Sequence, residues 1–136
     1  LKDPGTGETI TPAKIHSVVV LDILGSTLSP IHKGKKDYLI MLSGGNYAYD
    51  LQRANENPGL GLDLGLDYYG SEGFTDMFRA RVGDQKVFSQ KGAFCVVFTS
   101  GITMKTNKVE DDSLSLNYEI FKRRIFLIFH WLTKVL

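Results

Sequence analysis

Ser113-Leu-Ser-Leu-Asn-Tyr-Glu-Ile-Phe121, then Lys122-Arg-Arg124, then Ile125-Phe-Leu-Ile-Phe-His-Trp-Leu132 is the stretch whose conformation decides the fold. The first run alternates apolar and polar residues, which is the period of a half-buried strand. The second run is apolar on both faces of an extended chain, so it belongs in a core, an interface or a membrane. Residues 120–136 are also the one serious helix candidate. Their aliphatic content suits a helix, but Ile125, Phe126, Ile128, Phe129 and Trp131 favour strand and follow a run that is already extended. The balance leans to strand, with residues 125–132 as a central strand covered on both faces. The basic cluster Lys122, Arg123 and Arg124 then reads as a solvated turn.

Working outward from that end, strand signals recur along the chain. Residues 14–24 and 37–42 are rich in Val, Ile and Leu. Gly44-Gly45 between residues 37–42 and 47–53 reads as a hairpin turn, because primed turns need positive φ. Residues 60–69 alternate most regularly: Leu60, Leu62, Leu64, Leu66 and Tyr68 share one face, with a wet or closely approached face opposite. Residues 74–82 fit a strand or a short helix. Gly83-Asp84 reads as a two-residue turn into residues 85–88, and residues 92–99 read as a buried strand. Ser100-Gly101 turns that strand into residues 102–106, and residues 107–112 form an acidic loop. About nine short strands with hairpin signals between them predict an all-β fold: a single-domain antiparallel β-sandwich, jelly-roll or barrel-like, with little helix. Residues 1–13 are polar and turn-rich and read as a flexible arm on a domain spanning 14–136.

The chain has 136 residues, enough for one core without disulfide or metal staples. Hydrophobic residues make up 43% and charged residues 23%, which places it among globular chains. A net charge of +1 argues against a nucleic-acid binder, whose partner demands a concentrated basic face. No segment reaches the length of a membrane-spanning helix. Cys95 is the single cysteine, so no internal disulfide forms, and its apolar neighbours suit a small buried residue. The turn-rich start suggests a secreted protein.

Chemistry is sparsely signalled. Asp63, Asp67, Glu72 and Asp76 lie in a Gly-rich region, but the first two would stand roughly 13 Å apart along a strand, too far to share a cation. A glycosidase pair drawn from Asp50, Asp63 and Asp67 has no supporting cleft signal. His16, His32 and His130 are scattered, so no zinc spacing arises. No metal and no cofactor is implied. Tyr47, Tyr49, Tyr69 and Asp67 compose a possible sugar platform, with flat rings for stacking and a carboxylate for hydroxyls. Ordinary cross-strand packing yields the same composition.

The profile is similar in kind to small secreted pathogen effectors: one compact domain, a turn-rich start and no enzyme motif. That likeness of kind rests on no specific residue. The expectation is a non-enzymatic interaction protein, a monomer or weak dimer, that meets a protein partner through polar loops. The loop residues are His32, Lys33, Lys35, Lys36, Asn55, Asn57, Asp84, Gln85, Lys86, Asp111 and Asp112. A carbohydrate-binding module is the alternative, and an enzyme in a barrel mouth using carboxylates or His is the third reading.

Overall fold

The computed structural model describes residues 2–10, 15–27, 35–57, 59–68, 70–81, 83–101, 113 and 116–136. They form an α/β fold, not a β-sandwich. Four strands, β1 (Val18–Asp22), β2 (Tyr38–Leu42), β3 (Asp63–Leu66) and β4 (Cys95–Thr99), make one sheet in the order β1-β4-β2-β3. β1 and β4 are parallel, as are β2 and β3, while β2 and β4 run antiparallel. Four helices complete the order of elements: α1 (Tyr47–Asn55), α2 (Glu72–Arg81), α3 (Gly83–Gln90) and α4 (Tyr118–Val135).

β2 and β4 are buried along their whole length, because helices cover both faces of the sheet. Leu39, Met41, Val96 and Phe98 point to one face and pack with Leu51 and Ala54 of α1 and with Leu127, Ile128 and Trp131 of α4. Ile40, Leu42 and Val97 point to the other face, with Phe78 of α2. α3 packs on that side against β4 and β1. The result is three layers with two cores, one on each side of the sheet.

The strand expectations for residues 14–24, 37–42 and 92–99 correspond to β1, β2 and β4. Of residues 60–69, only Asp63–Leu66 is strand. Gly65 is where a backbone approaches closely, since an added Cβ would meet the Tyr68 carbonyl at 3.0 Å. The expected hairpins at Gly44-Gly45 and Gly83-Asp84 are corrected: the first leads into α1 and the second begins α3. In α1, Tyr47, Ala48, Leu51 and Ala54 face the core at helical spacing, and this burial outweighs the Tyr47/Tyr49 alternation. The expected hairpin strand at 102–106 and the acidic loop at 107–112 lie outside the described residues.

The largest correction is at the C-terminus. Tyr118–Val135 is an 18-residue helix. Asn117 caps it, its side-chain oxygen accepting from the Ile120 N–H at 3.1 Å, with Glu119 in the first turn and Lys134 in the last. Its inward face carries Arg124, Leu127, Ile128 and Trp131 at helical spacing. β-favouring residues yield here because strand propensity mostly records packing against a pleated surface, and the sheet already offers α4 a complete apolar face.

Arg124 is not a turn residue. It is fully buried and donates to four carbonyls: Tyr38 O at 2.8 Å, Leu24 O and Ser26 O at 2.7 Å, and Lys36 O at 3.2 Å. Its guanidinium also lies 5.0 Å from the centre of the Tyr38 ring. Burial pushes its pKa down, opposed by Tyr38 and by the charge of Asp37. The planar fork thus ties the segment after β1, the entry to β2 and the middle of α4 into one unit.

Candidate functional site

Two places in the fold can meet a ligand or partner. The first is the crevice at the carboxyl ends of β2 and β3. The chain leaves β2 for α1 on one face and leaves β3 for α2 on the other. Open α/β sheets commonly bind ligands where successive connections diverge in this way. Ser43 and Asp67, the residues just past these two strands, both hold positive φ, 60° and 53°. Such strain persists only where its surroundings fix it.

Those surroundings come from within the protein. The Asp67 carboxylate accepts the Ser43 N–H at 2.6 Å and the Arg79 guanidinium at 2.7 Å. Arg79 also reaches Asp76 at 3.4 Å. Gln85, from α3, is only 6% exposed and donates its amide N–H to the Ser43 hydroxyl at 3.0 Å. An amide cannot take a proton from that hydroxyl, so Ser43 has no general base in this contact. The described histidines engage elsewhere: His16 is 3.3 Å from the Ser17 hydroxyl, and His130 stacks on Phe126. A carboxylate and a guanidinium of the chain itself already occupy the crevice.

The second place is the outward face of α4. Tyr118, Phe126 and Phe129 are 65%, 54% and 62% exposed, and Ile125 and Leu136 are exposed beside them. A groove of about 510 Å³ runs along this helix. Asn57, Gly59 and Leu60 form one wall, and Lys122, Phe126 and His130 form the other. The Arg123 side chain closes its floor by donating to the Leu60 carbonyl. A lipid-spanning role does not follow, because no helix among the described residues is long and apolar enough to cross a membrane.

The residues expected in loops are scattered over the fold. Asn57 lines the groove on α4. Asn55 is committed to the fold: its amide donates to Leu62 O at 2.6 Å and accepts the Leu62 N–H at 2.8 Å, splicing α1 to the approach of β3. Lys35 pairs with Asp63 at 2.6 Å, and the Lys36 carbonyl serves Arg124. Gln85 is buried, Lys86 is exposed on α3, and Asp84 lies in the first turn of that helix. His32, Lys33, Asp111 and Asp112 lie outside the described residues.

Of the sugar-platform residues, Tyr47 and Tyr49 point to different sides of α1. Tyr47 packs edge-on against Phe94 and Trp131, whereas Tyr49 is exposed with Arg53 over its ring at 5.8 Å. The cation thus covers a ring face on which a sugar would stack. Asp67 is in the crevice described above, and Tyr69 lies outside the described residues. Asp63 and Asp67 stand at opposite ends of β3, each paired with a cation, and no group of three metal-ligating side chains occurs among the described residues.

The sequence reading missed both places. The signal for α4 was present: Asn117 followed by Glu119, then apolar residues spaced by three and four, marks a capped helix. Ser43 offered a weaker signal, a serine and two glycines directly after a buried strand. No protein family, no curated protein and no solved structure matches the chain.

Proposed function

We propose that this protein is a non-enzymatic interaction module and that its contact surface is the outward face of α4 with the adjoining groove. One observation carries the reading: five large apolar side chains, Tyr118, Ile125, Phe126, Phe129 and Leu136, are exposed on a single helix whose opposite face is fully engaged in the core. Scattered exposed apolar residues are normal, whereas contiguous ones rimmed by polar groups mark interaction sites. Lys122, Glu119 and Asn57 supply that rim. Tyr and Phe are also side chains that interfaces favour. The reading supposes neither nucleophile nor general base, which agrees with a crevice saturated by Asp67, Arg79 and Gln85.

The test is a pair of variants, Phe126→Asp and Phe129→Asp, measured for melting and for binding of a fluorescent apolar dye. The expected result is an unchanged melting temperature with dye binding sharply reduced. Loss of the folded state in both variants would show that the face is covered by the protein itself and would end the reading.

A further inference from the structure

We draw no further inference here: the strongest candidate, the outward face of α4 with its groove against Asn57, Gly59 and Leu60, belongs to the site already described, and nothing in the structure shows what covers it.

Discussion

The two faces of α4 share a composition and differ in fate. Leu127, Ile128 and Trp131 are buried against β2 and β4, while Ile125, Phe126 and Phe129, drawn from the same short run, face outward. The inward face even holds the more polar residue, Arg124, which is fully buried. Hydrophobicity alone therefore does not say which residues are core here. Position around the helix does, together with whether each polar atom finds a partner. Arg124 is tolerated inside because four carbonyls receive its N–H groups, and each of those carbonyls gains a charge-assisted bond in return.

The sharpest way to break this contrast is at Arg124. Arg124→Ala would strand carbonyls from two connecting segments and open a cavity between α4 and the sheet. The expected loss is about 3–5 kcal/mol in urea unfolding, from the cavity left by a large buried side chain and from carbonyls deprived of their donors. Arg124→Lys should recover only part of it, because an ammonium group cannot reproduce the fork that spans these carbonyls. A lysine variant as stable as wild type would mean that charge alone matters there. About two turns further on, Trp131 donates its indole N–H to the Tyr47 carbonyl at 2.9 Å and meets Phe98 edge-on at 5.1 Å. Trp131→Phe keeps a ring and removes that donor, and about 1–3 kcal/mol should be lost.

The same lesson extends to α3. Read as a turn, Gln85 belongs to a polar loop that accepts a charge freely. In the fold it is buried against Ser43, and its amide oxygen has no hydrogen-bond partner among the described residues. Gln85→Lys should therefore cost about 1–3 kcal/mol rather than nothing, because the ammonium would be desolvated beside a hydroxyl. Thermal melting of Gln85→Lys beside Lys86→Gln, its exposed neighbour, separates the two readings.

Phe129→Asp completes the contrast from the outside. A central strand covered on both faces would lose several kcal/mol with such a change. The outward face of a helix should lose no more than about 0.5 kcal/mol when the chain is dilute. Chemical unfolding at low protein concentration measures it.

What the sequence made legible follows from these cases. β1, β2 and β4 were readable because each is a short run of β-branched and apolar residues, and in β2 and β4 burial along the whole strand leaves no competing pattern. α4 was misread because Ser113–Phe121 alternates by two and the aromatics that follow suit a strand, although Ile120, Arg124, Leu127, Ile128, Trp131 and Val135 mark one helical face. Arg124 hid that face, since a charged residue in the middle of a core stripe breaks the hydrophobic count. α1 and α3 were misread because their starts carry Gly pairs or Gly-Asp, which serve a helix entry as well as a hairpin. The crevice of Ser43, Asp67, Arg79 and Gln85 could not be read from sequence, because its members come from four separate elements and meet only when the sheet forms.

The smallest expected effect tests exposed charge, where geometry is good but water competes. Lys35 and Asp63 are paired at 2.6 Å across the entries to β2 and β3. The hydrogen bond and charge of Asp63 raise the pKa of Lys35, with Asp37 adding to the same direction. A base whose pKa is raised on folding stabilises the fold fully at pH values below its unfolded pKa, about 10.4 for lysine. That contribution fades as pH climbs from there through the raised folded value. The melting temperature of wild type should thus exceed that of Lys35→Gln slightly and constantly across neutral pH, and the gap should close in the alkaline range. Added salt should narrow the gap at neutral pH, because the pair is solvent-exposed and screened. A gap that instead opens with rising pH would mean that Lys35 is held by something other than Asp63.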